Sequence, residues 1–230
     1  DKRDFGTWLH AVLQRFHEGL RDAPARDAAE RSARLDAAAE QAREQLGLAG
    51  SDFLPYASGW PQLRDGYLRW LDEHEAGGAQ FAQAEVQAQQ RLALAQGSLE
   101  LVGKLDRIDE AKDAEGRAAA LVIDYKTEGS QATRARVQAG TEDTQLAFYA
   151  ALMPEGRGPL RAAYVNVGER GETRTFEAPG VEQLRDALLA GIRDDFDRIA
   201  QGAGLPALGE GSVCDWCAAR GLCRKDFWNE

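Results

Sequence analysis

The sequence predicts an α/β fold with a central mixed β-sheet and flanking helices. Residues 99–108 alternate apolar and polar side chains, as a half-buried strand does, and residues 118–123 form an unbroken apolar run typical of a strand buried on both faces. Turn-forming residues at 113–117 join these segments into a hairpin. A helical pattern then leads to another apolar segment, residues 160–167, and a strand–helix–strand crossover makes its two strands parallel. One antiparallel and one parallel pairing give a mixed sheet.

The segments before the first strand predict helices. Residues 4–20 carry apolar side chains at helical spacing. Residues 22–47 are rich in alanine, arginine and glutamate, which favours a second helix, and a loop at 50–59 separates it from a third helix at 60–74. The second and third helices form a predicted helical insertion over about 22–76.

The remaining elements follow in order along the chain. The first strand is predicted over residues 81–95, and a polar loop over 128–140 follows the hairpin. Thr141 suits the N-cap of a helix that ends at residue 152. Residues 172–178 predict a strand that pairs with 160–167, and residues 181–200 predict a long C-terminal helix. Its inward-facing stripe is expected to be Leu184, Leu188, Ile192, Phe196 and Ile199.

Residues 1–230 are expected to form one domain with a cysteine-containing tail at about 205–230. Because the chain starts at Asp1 rather than at a methionine, we expect a fragment of a larger protein. No apolar run is long enough to span a membrane and no signal-peptide pattern is present, which favours a cytoplasmic location without a membrane partner.

The charge balance restricts the kind of partner. The net charge of −10 argues against a broadly basic nucleic-acid surface. A local basic groove beside an acidic site remains compatible with this composition. The candidates for such a groove are Lys104, Arg107, Lys126, Arg134 and Arg136.

The end of the apolar strand carries the clearest chemical pattern. Asp124 and Lys126 are two residues apart and therefore face the same side of the strand, and Asp106 in the neighbouring strand can face the same cleft. Two carboxylates beside one ammonium group are costly to bury unless a cation joins them. Carboxylate oxygens suit Mg²⁺ or Mn²⁺. The alternative is a surface salt bridge at the end of a strand.

Five motifs in order resemble those of the PD-(D/E)xK nuclease superfamily, most closely its RecB-like branch, which includes the nuclease domains of the RecB and AddB helicase–nuclease subunits. The resemblance spans nearly the whole chain. The motifs are G-T-W-L-H (6–10), G-x-x-D-R-x-D (103–109), D-Y-K-T (124–127), Q-L-x-x-Y (145–149) and C-x2-C-x5-C (214–223).

The resemblance implies a restriction-endonuclease-like αβββαβ core and a magnesium- or manganese-dependent deoxyribonuclease. It implies exonuclease action in DNA repair, with DNA and helicase domains or subunits as partners. In the family the metal is held by residues corresponding to His10, Asp106, Asp124 and the backbone carbonyl of Tyr125. Lys126 corresponds to the lysine that orients or activates the attacking water. Gln145 and Tyr149 correspond to the pair that borders the active site.

Several alternatives remain open at this level. Glu85 on the first strand is a further candidate metal ligand, and a solvated strand face explains it equally well. Asp109 competes with Asp106, since residues three apart face opposite sides of a regular strand and a bulge can exchange them. His17 lies two turns after His10 and fits no motif. The rival functions are a catalytically silent nuclease-like module that binds DNA or a partner, and a structural metal domain.

The cysteine motif provides Cys214, Cys217 and Cys223, whereas zinc or an iron–sulfur cluster takes four ligands. In AddB-type nucleases a cysteine just before the first helix completes a 4Fe-4S cluster. The resemblance therefore implies a cluster in a longer protein, with its fourth ligand upstream of Asp1, and no cluster in this fragment. Three free thiols are the alternative.

Overall fold

A computed structural model of the chain describes residues 2–48, 50–139, 143–154, 156, 158–168, 170–204, 214 and 217–223. Three helices precede the first three strands, and two more helices separate the third strand from the fourth. The elements are α1 (Lys2–Asp22), α2 (Ala28–Gln45), α3 (Gly50–Ala76), β1 (Gln80–Ala93), β2 (Ser98–Lys112), β3 (Ala118–Lys126), α4 (Ser130–Ala139), α5 (Gln145–Leu152), β4 (Leu160–Val167), β5 (Thr173–Glu177), α6 (Val181–Ala200) and α7 (Arg220–Cys223).

The five strands form one mixed sheet in the order β1-β2-β3-β4-β5. β3 and β4 are parallel, and the other three pairs are antiparallel. The predicted fold class is therefore confirmed, including the parallel pair that the helical crossover requires. β1 and β2 pair along most of their length, whereas β2 pairs with β3 only from Lys112↔Ala118 to Arg107↔Ile123. The β2–β3 ladder thus ends one residue short of Asp106 in β2 and of Asp124 in β3.

Helices cover both faces of this sheet because successive side chains of β3 alternate between them. Leu121, Ile123 and Tyr125 pack with the core formed by α1, α2 and α3. Val122 packs in the opposite core, to which α5 and α6 contribute. The site residues Asp124 and Lys126 share the face of Val122, which is the face that α5 covers.

Two segments predicted as loops are helical. Residues 50–59 belong to α3, in which Phe53 packs against Trp8 with ring centroids 4.6 Å apart. Residues 130–139 form α4, whose buried residue Thr133 accepts a hydrogen bond from Asn166 of β4 at 2.9 Å. Contacts with distant parts of the chain therefore stabilise helices that the local sequence does not predict.

Other boundaries also differ from the prediction. α2 begins at Ala28 after the N-cap Asp27, whose side chain accepts the Glu30 N–H. α5 begins at Gln145, its N-cap Thr144 makes no side-chain capping bond, and the predicted cap Thr141 lies outside the described residues.

The predicted inward stripe of the last helix is wrong at its C-terminal end. Phe196 and Ile199 are 41% and 37% exposed, because the described residues place no helix or strand over that part of α6. In the described part of the chain, no helix is both long enough and apolar enough to cross a bilayer.

Candidate active site

The candidate site lies where β2 and β3 stop pairing. Beyond the last ladder pair, the Asp106 carboxylate replaces a backbone acceptor: its Oδ2 accepts a hydrogen bond from the Tyr125 N–H at 2.9 Å. This bond fixes Asp106 beside Asp124, the residue that precedes Tyr125. The strand ends thus bring together two carboxylates that are 18 positions apart in the sequence.

Asp106 forms a cluster with two residues from other elements. One ligand atom each from His10 of α1, Glu85 of β1 and Asp106 lies within 4.8 Å of the others. His10 Nδ1 is 3.5 Å from Asp106 Oδ1 and 3.6 Å from Glu85 Oε1. Glu85 reaches the cluster from a left-handed backbone conformation, with φ of 51°, which is uncommon for a residue with a side chain. In the described chain this is the one group of three such ligands with that geometry.

The charges within this cluster are tightly coupled. Burial disfavours the His10 imidazolium, but hydrogen bonds and the charges of Asp106 and Glu85 outweigh it and raise the pKa of His10 to about 10. Burial also disfavours the Glu85 carboxylate, yet His10 and the ion-paired Lys104 lower the pKa of Glu85. The protonated His10 imidazole therefore lies between the carboxylates of Asp106 and Glu85, the position that a bound cation would take.

Asp124 and Lys126 form an ion pair at the edge of this cluster, with Lys126 Nζ 2.8 Å from Asp124 Oδ2. Gln145 of α5 bridges the pair: it accepts from Lys126 Nζ at 2.7 Å and donates to Asp124 Oδ1 at 2.6 Å. Gln145 also donates to the hydroxyl of Tyr149 at 3.2 Å, one turn along the same helix. The residues of D-Y-K-T and Q-L-x-x-Y are therefore in direct contact.

Asp124 is 3% exposed, and burial together with the charge of Asp106 raises its pKa to about 6, against the opposing effect of Lys126. Its Oδ2 lies 2.8 Å from Lys126 Nζ and makes no hydrogen bond to any other described residue. Two buried carboxylates side by side leave negative charge that a bound cation would balance. Oxygen ligands with one imidazole suit Mn²⁺ or Mg²⁺. The residues present thus fit a divalent metal.

The structure places Asp109 away from this group. Arg107 Nε and Nη2 donate to its two carboxylate oxygens at 2.6 and 2.8 Å, and His74 Nε2 lies 2.7 Å from Oδ2. Burial disfavours the Asp109 carboxylate, but His74 and Arg107 lower its pKa. Asp106, and not Asp109, is therefore the acidic residue of the second motif that lies beside His10.

The prediction that Arg107 contributes to a basic groove is wrong, because its side chain is 1% exposed. The third nitrogen of Arg107, Nη1, donates to His17 Nε2 at 2.8 Å and to the Tyr125 hydroxyl at 3.2 Å. Since arginine only donates, His17 Nε2 is an acceptor and His17 is neutral. Burial first, and then the charge of Arg107, holds the pKa of His17 well below its usual value. This network lies on the face of the sheet that α1 and α3 cover.

The other groove candidates are mostly paired with acids. Lys104 pairs with Glu85 and Lys126 with Asp124, while Arg136 contacts both Glu128 and Asp143. Arg134 is exposed on α4. The predicted cationic groove is therefore largely neutralised by neighbouring carboxylates.

Two contacts near the site escaped the sequence reasoning. Tyr164 of β4 is the register partner of Asp124, and Lys126 Nζ lies 4.9 Å from the centroid of its ring. Gly103 allows α5 to approach β2, since a Cβ there would lie 2.6 Å from Leu152 Cδ1. A parallel β3–β4 pair was predicted, but the sequence gives neither its register nor the packing of α5 on β2, so neither contact was visible.

The cysteines of the tail are described in part. Cys214 and Cys223 are half-buried, Cys217 is exposed, and all three are free thiols. Nothing in the described residues tests a fourth ligand, so the iron–sulfur assignment stays a prediction.

Comparison with known proteins adds a family assignment. No curated protein matched the chain. The crystal structure of SSO0001 is similar at 14% identity, covering 93% of this chain and 94% of that chain, with a TM-score of 0.37. A likeness of that size supports no inference about activity.

The family model of the PD-(D/E)XK nuclease superfamily matches residues 1–224, which contain every motif and every site residue described above. Because the match extends over almost the entire sequence, this chain belongs to the PD-(D/E)XK nuclease superfamily.

Proposed function

We propose that the chain is a magnesium- or manganese-dependent deoxyribonuclease domain of the RecB-like branch, which hydrolyses phosphodiester bonds in DNA from an end. One observation carries the proposal: the ligand atoms of His10, Glu85 and Asp106 lie within 4.8 Å of one another, directly beside the Asp124–Lys126 ion pair. This juxtaposition places the metal ligands and the Lys126 ammonium group side by side.

The metal would be held by His10, Asp106, Asp124 and the carbonyl of Tyr125, with Glu85 as a further ligand. Asp124 Oδ2 has Lys126 Nζ as its one polar contact in the described chain, which leaves a lone pair for a metal. A bound divalent ion offers a Lewis acid for the phosphate and lowers the pKa of a coordinated water.

Lys126 is the residue proposed to act on the reacting groups. Its ammonium is held by Asp124 and Gln145, which leaves its remaining donor for a phosphate oxygen or the attacking water. Asp124 is ionised above about pH 6 and then balances the charge of Lys126. Gln145 fixes both side chains, and Tyr149 fixes Gln145.

The proposed setting is DNA repair in the cytoplasm, within a helicase–nuclease. The charges support the part played by partner domains: the net charge is −10, and Lys104, Lys126 and Arg136 are each paired with carboxylates. A domain of this kind gains little from counterion release when it meets DNA alone. Partner domains would therefore hold the DNA, and an iron–sulfur cluster at the cysteines would belong to that longer protein.

The test compares cleavage of end-labelled linear DNA by the wild type, Asp124→Ala and Glu110→Ala, with Mg²⁺ or Mn²⁺ and with chelator. Glu110 is an exposed carboxylate of the same strand as Asp106 and serves as the matched control. We expect metal-dependent cleavage by the wild type and Glu110→Ala, and none by a folded Asp124→Ala protein, with folding checked by circular dichroism. Full activity of Asp124→Ala would refute the assignment. A wild type that binds metal but cuts neither linear nor circular DNA would favour the catalytically silent module.

A further inference from the structure

We propose that Tyr164 is the positioning residue for Lys126, holding the ammonium group against the face of its ring. This inference rests on the proposed function, because it gives Tyr164 a role only if Lys126 acts on the substrate. It assigns a role to a residue that lies outside all five motifs.

The first support is the placement of the ring. β3 and β4 are parallel with Asp124 opposite Tyr164, so both side chains point to the same face of the sheet. Tyr164 is 1% exposed, and Lys126 Nζ lies 4.9 Å from its ring centroid. A cation over an aromatic face at this distance is attracted by the negative ring face, and more strongly when water is excluded. The described chain has three such cation–ring contacts, and the two others belong to Arg107 under the sheet.

The second support is the number of contacts that hold Lys126. Asp124 of β3 and Gln145 of α5 contact its nitrogen at 2.8 and 2.7 Å. The Tyr164 ring adds a contact from β4. An amine held by an anion, an amide and a ring face has little rotational freedom left, which is what a group that must meet a phosphate needs.

The third support is the anchoring of the ring itself. The Tyr164 hydroxyl donates to Asp143 Oδ1 at 2.6 Å, and Asp143 Oδ2 accepts from Arg136 Nη1 at 2.8 Å. Arg136 continues to both oxygens of Glu128, through Nε at 2.6 Å and Nη2 at 3.0 Å. Glu128 lies two residues after Lys126. The contacts therefore form a closed network that runs from Lys126 to Tyr164 and, through Asp143 and Arg136, back to Glu128.

The same closed network includes α4. Arg136 reaches Glu128 and Asp143 from the helix that the sequence predicts as a loop. Asn166 of β4 donates to the Glu128 carbonyl at 2.7 Å and to Thr133 Oγ1 at 2.9 Å, which fixes α4 to the same strand as Tyr164. The two parallel strands and α4 therefore support the Tyr164 ring as one unit.

The test must separate a cation–ring contact from ordinary packing. We would replace Tyr164 by phenylalanine and by a ring-fluorinated phenylalanine, which keeps the shape of the ring and weakens its negative face. The same fluorinated residue at Phe16, a buried residue of α1 in the core on the opposite face of the sheet from Lys126, is the matched control. Tyr164→Leu removes the ring altogether. All variants are assayed for kcat and KM on linear DNA with Mn²⁺, and for thermal stability.

We expect Tyr164→Phe, which keeps the ring face but loses the hydroxyl anchor to Asp143, to lower kcat slightly. Relative to phenylalanine, the fluorinated ring should lower kcat several-fold further, and Tyr164→Leu should lower it roughly tenfold, with KM little changed. Fluorination at position 16 should leave kcat unchanged. Equal kcat for the phenylalanine and its fluorinated analogue at 164, or an equal loss at 16, would overturn the proposal. Lys126→Ala is measured in parallel: if it is fully active, the proposed function of Lys126 fails; if it is inactive while fluorination at 164 has no effect, only the role of Tyr164 fails.

Discussion

Gln145 and Lys126 are hydrogen-bonded across the cleft between α5 and β3, with Lys126 Nζ 2.7 Å from Gln145 Oε1. The same amide donates through Nε2 to Asp124 Oδ1 at 2.6 Å, so its oxygen faces the cation and its nitrogen faces the anion. One neutral side chain therefore orients both charged groups of the D-x-K pattern. The amide does not compensate the repulsion between the two buried carboxylates, Asp106 and Asp124.

Asp124→Asn should stabilise the metal-free protein while abolishing cleavage. The folded state raises the pKa of Asp124 to about 6, so ionisation costs stability at neutral pH. The asparagine cannot ionise, and we expect a gain of about 1–3 kcal/mol at pH 7 that disappears as the pH falls toward 4. Chemical denaturation with chelator present measures it.

Asp109→Asn is the matched control and should have the opposite effect. Because Asp109 compensates the buried Arg107, its loss should destabilise the protein by about 3–5 kcal/mol. If both substitutions destabilise the protein equally, the distinction between a site carboxylate and a structural carboxylate is wrong.

His10→Ala should weaken metal binding, because it removes the imidazole from the group of three ligand atoms. We expect Mn²⁺ affinity to fall by at least roughly tenfold, a loss typical even of residues that only support a ligand. Calorimetric titration measures this. His17→Gln is the control, since His17 lies under the sheet with Arg107 and should leave affinity unchanged. A larger loss for His17→Gln would place the metal elsewhere.

The two histidines should impose opposite pH dependence on the stability of the metal-free protein. The raised pKa of His10 adds stability that is complete below its unfolded pKa of about 6.5 and is lost as the pH rises toward 10. The lowered pKa of His17 means that the unfolded chain binds a proton that the folded chain does not, so stability is lost as the pH falls below about 6.5.

Unfolding free energies from pH 5 to 9 test this pair. Relative to His17→Gln, the wild type should lose about 1.4 kcal/mol per pH unit on the acid side. Relative to His10→Gln, it should lose stability on the alkaline side. Parallel curves for the wild type and either variant would contradict the assigned protonation states.

Gly66→Ala should destabilise the fold, because a Cβ on α3 would overlap the carbonyl oxygen of Gly171 in the β4–β5 turn. Backbone atoms on both sides cannot move aside, and we expect a loss of about 1–3 kcal/mol. Gly19→Ala in α1 meets nothing within 4 Å and should stabilise by about 0.5–1 kcal/mol. Thermal melts of both variants decide the point, and equal effects would show that α3 is not packed against that turn as described.

The strands of the sheet were predictable because their patterns are local. The predicted strand 160–167 and the predicted helix 181–200 coincide with β4 and α6. The i, i+2 spacing of Asp124 and Lys126 predicted their common face, and the ion pair shows it. The helical spacing of Gln145 and Tyr149 likewise predicts a common face, on which the two side chains are hydrogen-bonded.

What the sequence by itself determined was therefore the type of the strongly periodic elements and the face on which their polar residues lie, since both follow from a period of 2.0 or 3.6 residues. Only the tertiary structure decided which faces meet. It buried Arg107 against Asp109, made helices of 50–59 and 130–139, and brought Glu85 and Tyr164 to the site. These outcomes depend on strand register and on burial of charge beside a distant partner. Neither quantity is encoded in the spacing of neighbouring residues.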